Sequence, residues 1–435
     1  MSLWRRLIFT LTVCALPGLL TACGPGAVSE PQAPAPAEKP ALEMRITWKV
    51  YSGRGEALQK IVDGYADAAG SPYRIVLRDG NEELADITAD LDAGAADLYV
   101  LPYRYIRFLG DAGRLLDLTA DTGPQQAVVE EALWALGAVD GKVYGVPWMG
   151  HAMALVYNRD LLRAAGVSAE AIQSREDFLR ALEQVEARTD ARGMGLVGAA
   201  HNDLSWMVNQ VIAGIGVPLT DPSGRKVTVN DPRAAEAIRF YRETLGAHAQ
   251  ESWLSDTGVE VMTHFRNQRV AFEIQGPWGV TDIWKNGRPF EVGAIPLSRI
   301  GLGAEVGPMM LALPRDIAPE KRAAALELIR YLLSPEAQAR ILDGEYSPEH
   351  DAYYPFRIPV RRDMAETLVQ RHYPELEAFM AGFGNPSIDV PAPRWQLVKD
   401  RLYTPGLHQV MAGERSVETF LGEIETEGNA LLQTQ

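Results

Sequence analysis

Leu58, Ile61, Val62 and Tyr65 fall at i, i+3, i+4 and i+7 behind the short strand-like run Met44 to Val50, so the folded body is predicted to begin with a strand and a one-faced helix. Tyr73 to Leu77 reads as the next strand, Glu82 to Asp92 as a helix, and Asp97 to Leu101 as a third strand. This βαβαβ order predicts a parallel sheet with helices on its faces. Farther along, Ser174 with Asp177 makes a capping-box pattern ahead of Phe178, Leu182 and Val185. Asp231-Pro232 opens another helix, striped by Ala234, Ile238, Tyr241 and Leu245. Val270 to Ile274, Phe290 to Ile295 and Met309 to Leu313 read as strands, Pro319 and Ser334-Pro335 start helices, and helical periodicity dominates from Arg361 onward.

The N-terminus is organised differently. Arg5 and Arg6 precede an apolar stretch, Leu7 to Leu20, too short to span a bilayer, and Leu20-Thr21-Ala22-Cys23 follows as a lipobox pattern. Residues 1–22 are therefore expected to be a lipoprotein signal, with Cys23 the lipidated N-terminus of a protein working outside the cytoplasm. Residues 23–41, rich in Pro, Ala and Gly, read as a semi-extended tether. The chain has 435 residues and a net charge of −15, which argues against nucleic acid or anionic lipid as the main partner. Cys14 leaves with the leader, so no cysteine pair remains for a disulfide.

Asp140-Gly141-Lys142-Val143-Tyr144-Gly145-Val146-Pro147, then Leu155-Val156-Tyr157-Asn158-Arg159-Asp160-Leu161-Leu162 and Ala165-Gly166-Val167, resemble the extracellular solute-binding proteins of carbohydrate ABC importers. Later blocks keep the family order: Asp221 to Val227 with Asn230-Asp231-Pro232, Val270-Ala271-Phe272 with Gly276-Pro277-Trp278, and Tyr331 to Gln338. The resemblance implies an α/β fold of two lobes, each a mostly parallel sheet flanked by helices, with a ligand cleft between them. On this reading residues 42–150 begin lobe I, 151–306 form lobe II, 307–360 return to lobe I, and 361–435 are a helical segment packing across both.

A sugar cleft needs aromatic faces for ring C–H groups and planar polar side chains for hydroxyls. Trp48 and Tyr51 stand at the end of the first expected strand, and Glu56 at the start of the next helix. Tyr103 and Arg104 follow the third strand; Trp148 and His151 follow Val146-Pro147. Asn202, Asp203 and Trp206 begin a helix of lobe II. Glu273 and Gln275 alternate with Phe272 and Ile274, just before Trp278. Met309 stands at the return to lobe I, and Tyr354 and Arg357 follow a loop rich in Asp, Glu and His. These are the candidate ligand-binding residues. Each has a plainer alternative: tryptophans as core, Glu56 and Arg104 as surface charges, Asp203 as the cap of its own helix.

Two departures from the family pattern bear on the ligand. Gly307-Pro308-Met309 replaces paired glycines, removing an N–H donor from the cleft wall, and Gln275 stands where Asp or Asn is frequent. Gly193 to Gly198 matches the dinucleotide fingerprint in letters but follows a helix and reads as a strand itself. Ser223-Gly224-Arg225-Lys226 has Ser-x-x-Lys spacing inside a turn. The seven histidines show no His-Glu-x-x-His, so neither a metal nor a cofactor is expected. The resulting expectation is a monomeric, lipid-anchored binding protein that passes a carbohydrate to membrane permease subunits and catalyses nothing. The alternatives are a secreted carbohydrate hydrolase, and a receptor for ferric ion, held by Tyr353-Tyr354, or for another solute.

Overall fold

Ten strands carry the architecture in the computed structural model, which describes residues 39–69, 71–364 and 373–433. The leader, Cys23 and most of the tether lie outside the described residues. The strands are β1 (Ala41–Arg45), β2 (Arg74–Arg78), β3 (Leu98–Pro102), β4 (Val146–Gly150), β5 (Ala154–Asn158), β6 (Arg192–Gly195), β7 (Val270–Gln275), β8 (Val292–Ile295), β9 (Met309–Ala312) and β10 (Ile358–Pro359). They form two principal sheets, ordered β10-β4-β9-β3-β1-β2 and β8-β5-β7-β6. Helices cover both, and the α/β two-lobed class expected from the sequence is the class observed.

The sheets are mixed, which corrects the expectation of mostly parallel ones. β1 pairs in parallel with β2 and β3, as βαβ crossovers require. β9 is antiparallel to both β3 and β4, and β10 is antiparallel to β4. In the second sheet only β6–β7 is parallel; β5 is antiparallel to β7 and β8. The cause is the chain path. β4 leaves the first sheet and β9 returns to it, so they enter it in opposite senses, whereas local periodicity reports strand existence and not pairing direction.

The first strand also begins and ends earlier than the run Met44 to Val50 suggests. Leu42 and Met44 point into the core with β1, Ile46 follows buried, and the chain then turns. Ser52 N–H donates to the Lys49 carbonyl at 3.0 Å and Val50 N–H to Asp79 Oδ1 at 2.7 Å, so Trp48 and Tyr51 sit in a loop. The start signals fare better. Ser174 accepts from Asp177 N–H at the head of Arg175–Arg188, and Asp231 caps Pro232–Arg239.

Candidate functional site

Two chain segments pass between the two sheets and form a short ribbon, and a third lies against it. His151 N–H donates to the Gly307 carbonyl at 3.2 Å, Gly307 N–H returns to the His151 carbonyl at 3.1 Å, and Met153 N–H reaches the Glu305 carbonyl at 2.9 Å. The third segment joins alongside, with Ala304 and Glu305 paired in parallel to Pro386 and Ser387. Gly307 permits the close approach: a Cβ there would lie 2.2 Å from the Tyr103 ring and 3.0 Å from His151 Cε1.

Beside this ribbon lies a cavity of about 250 Å³ whose wall is drawn from both sheets. Tyr103, Arg104, His151 and Met309 line it, with Arg357 from the segment that leads into β10. Asp203, Trp206, Gln275 and Trp278 come from the lobe of the second sheet. Nine of the sixteen residues chosen from the sequence thus meet at one place.

Its lower wall is a chain of directed bonds. Asp203 Oδ2 accepts from Gly258 N–H at 2.9 Å, the Gly258 carbonyl accepts from Gln275 Nε2 at 3.0 Å, and Gln275 Oε1 accepts from Trp278 Nε1–H at 2.8 Å. Asp203 therefore serves the N-terminus of the helix Gly258–Arg266. Its own helix, Asn202–Gly214, begins after His201, whose Nδ1 lies 3.1 Å from Asp203 Oδ2. Gln275 spends its amide holding Trp278, whose ring lies so close to Gly276 that a Cβ there would meet it at 2.3 Å.

Packed against Trp278, with the His151 ring 5.1 Å from it, is a buried polar relay. Arg357 Nη1 donates to His151 Nδ1 at 3.0 Å. A guanidinium only donates, so Nδ1 is the bare nitrogen and Nε2–H donates to Glu305 Oε2 at 2.7 Å. Tyr103 O–H fills Glu305 Oε1 at 2.7 Å. Burial, followed by the Arg357 charge, holds His151 below its ordinary pKa despite Glu305. Burial works against ionising Glu305, but His151 and Tyr103 outweigh it and hold the carboxyl low. The relay is a neutral imidazole between a cation and an anion.

Both carboxylates on the cavity wall are also ionised. Burial opposes this at Glu82, yet Arg104 at 2.9 Å lowers it below the ordinary value. Burial opposes it at Asp203 too, and His201 and the Gly258 N–H overcome it. His201 is raised in return, first by its bond to Asp203.

Seven of the chosen residues do not line the cavity. Trp148 is fully buried in the core and Asn202 accepts from Lys399 Nζ, itself paired with Asp389 behind the wall. Glu273 is fully buried with neither oxygen hydrogen-bonded, and burial raises its carboxyl far above the ordinary range. Trp48 stands one layer back, edge-on to Phe356 at 5.3 Å. Tyr51 is 85% exposed and Glu56 points to solvent. Tyr354 packs beside His350. Among the described residues no group of three or more His, Cys, Asp or Glu side chains is placed to hold a metal.

The sequence reading missed Arg54, Glu82, His201, Met262 and Phe356, all on the cavity wall. Phe356 and His201 adjoin chosen residues. Glu82 was assigned to a helix that in fact starts at Leu84, which leaves it in a loop free to meet Arg104.

Similarity to known proteins follows the same lines. Residues 51–339 match the model of the bacterial extracellular solute-binding protein family. A probable ABC transporter-binding protein of Deinococcus radiodurans is 25% identical over 313 residues, 68% of this chain and 73% of that one. A maltooligosaccharide ABC transporter solute-binding lipoprotein of Streptococcus pneumoniae is 24% identical over 62% of each chain. In structure, an ABC transporter solute-binding protein of Thermotoga lettingae bound with α-D-tagatose superposes with a TM-score of 0.76 at 16% identity, covering 90% of this chain and 100% of that one. With its two sheets, linking segments and enclosed cleft, this chain belongs to the bacterial extracellular solute-binding proteins.

Proposed function

We propose that the chain is the capture component of a carbohydrate ABC importer, holding a sugar or oligosaccharide between its lobes and delivering it unchanged to membrane permease subunits. The observation that carries this reading is the cavity itself: the rings of Trp206 and Trp278 stand beside Arg104, Arg357 and Asp203 in a cleft spanned by linking segments. Aromatic faces with charged hydrogen-bonding groups suit a polyhydroxylated ring. At about 250 Å³ the cavity is slightly below the usual small-ligand range of about 300–1,000 Å³, which favours a short saccharide or one end of a longer one. The named maltooligosaccharide relative supports the same ligand class.

No chemistry is needed for this role, and the wall is poorly suited to glycoside hydrolysis. That reaction calls for one carboxyl kept protonated near neutrality, whereas Glu82 and Asp203 are both held ionised. The lobes meet at a hinge near 151 and 307 and close as a population shift; the paired strands that run between the two sheets there support this. The protein acts outside the cytoplasm, lipid-anchored through Cys23, as the leader pattern supports, and opens and closes as a monomer.

A thermal-shift screen of the purified protein against saccharides, polyols, amino acids and ferric ion tests the reading. A saccharide that raises the melting temperature and is recovered intact supports it. Recovery as fragments would mark a hydrolase, and stabilisation by ferric ion alone would mark a different receptor.

A further inference from the structure

Arg357 is 8% exposed and lines the cavity, yet no carboxylate among the described residues bonds it directly. Its one hydrogen-bonded side-chain partner there is the neutral Nδ1 of His151. Nε is a buried donor with no acceptor. The guanidinium is sandwiched against rings, 4.7 Å over Trp278 and 5.5 Å from Phe356, which fix its plane but accept no conventional hydrogen bond. The neighbouring cations differ. Arg104 bonds Glu82 at 2.9 Å and Arg54 bonds Glu345 at 3.1 Å. Glu82 and Glu305 both attract Arg357 without bonding it: Glu82 is held by Arg104, and Glu305 is separated from Arg357 by the His151 ring and already accepts from His151 and Tyr103.

A buried cation given only a neutral acceptor is an expensive arrangement unless something else supplies the missing charge. Burial pulls Arg357 down to about 10, still charged at neutral pH. Around the cavity Arg104 is matched by Glu82, Arg54 by Glu345 and Asp203 by His201, which leaves Arg357 as the one wall cation, among the described residues, with no bonded carboxylate. One excess charge matches a monoanion better than a phosphomonoester dianion. Planar, fixed guanidinium donors suit a carboxylate.

Building on the carbohydrate reading above, we infer that the ligand is an acidic saccharide and that Arg357 is the subsite for its uronate carboxylate. Trp278 would then hold Arg357 in plane on one side while Trp206 faces the sugar.

The test is calorimetric titration of the purified protein with matched saccharides, each acid a monoanion: galacturonate against galactose, and cellobiouronic acid against cellobiose, with glucose 6-phosphate as a dianionic control. The expected result is at least tenfold tighter binding of an acid member than of its neutral counterpart, weakening with added salt. Arg357→Gln should abolish that preference and Arg357→Lys should retain part of it. The salt series on the unaltered protein decides the matter if the Gln variant fails to fold. A neutral member binding as tightly as its acid, a preference for the phosphate, or an acid preference that survives Arg357→Gln would overturn the inference and leave the carbohydrate reading standing. Absence of binding by these probes, together with failure of every saccharide in the thermal-shift screen, would overturn both.

Discussion

His151 Nε2 lies 2.7 Å from Glu305 Oε2, a bond that ties the segment leaving the first sheet to the segment returning to it. The same imidazole accepts from Arg357 on the cavity wall. The cavity wall and the ribbon between the sheets therefore meet on one side chain, and a change at Arg357 is one bond away from that ribbon.

Replacing Glu305 by Gln should be costly. Tyr103 and His151 both donate to its two oxygens, while an amide offers one acceptor and turns a donor toward a donor. Loss of about 2–4 kcal/mol is expected in urea denaturation, the scale for breaking a buried charged network. A loss under about 0.5 kcal/mol would show that the relay does not hold the ribbon together.

The sign of the pH response follows from the same pair. His151 and Glu305 both have folded pKa values below their ordinary 6.5 and 4.5, so each contributes stability in full above its ordinary value and loses it as pH falls toward the folded one. His201 runs the other way: raised by Asp203, it contributes below pH 6.5 and fades as pH rises through its folded value. Denaturation curves between pH 7.5 and 4 should show stability declining with acid, and His151→Gln should flatten the decline near 6.5. An unchanged slope in that variant would remove His151 as its source.

Trp278 and Trp148 separate the two meanings a tryptophan can have. Trp278 is partly exposed on the cavity wall, so Trp278→Ala should weaken saccharide binding by about 1–3 kcal/mol. Trp148 is wholly inside the core, so Trp148→Phe should lower the melting temperature and leave affinity unchanged. Titration and thermal melts of both variants check this, and equal affinity losses would contradict it.

Gly307→Ala places a methyl group 2.2 Å from the Tyr103 ring. The ring and ribbon must both shift, with an expected destabilisation of about 1–3 kcal/mol and weaker ligand binding. A variant with wild-type stability and affinity would show that the ribbon tolerates displacement.

Cys23→Ser should release the protein from the membrane fraction of the producing bacterium. Persistence of the variant in that fraction would contradict anchoring through an acyl chain.

What could be seen in the sequence was local. The caps at Ser174 and Asp231, the turn at Asp221 to Lys226 and the run Val270 to Gln275 depend on neighbours within a few residues, and their chemistry is legible there. Pairing direction was not, because β4 and β9 acquire their sense from a long excursion through the second sheet. In the site, Tyr103, His151 and Trp278 were found because they follow strands. Glu273 was misjudged on the same rule: it alternates with Phe272 as expected, but the face it points to is sealed by the helix starting at Pro277. Glu82 and Arg54 gain their places from Arg104 and Glu345, far along the chain, which no local pattern announces.

The measurement that bears most directly on the central claim is calorimetric titration of the purified protein with the most stabilising saccharide of the screen, followed by chromatography of the recovered ligand. The account expects one site per chain, a negative heat-capacity change from closing the Trp206 and Trp278 faces over the ring, and ligand recovered intact. No saccharide heat at millimolar concentration, or ligand recovered as fragments, would contradict it.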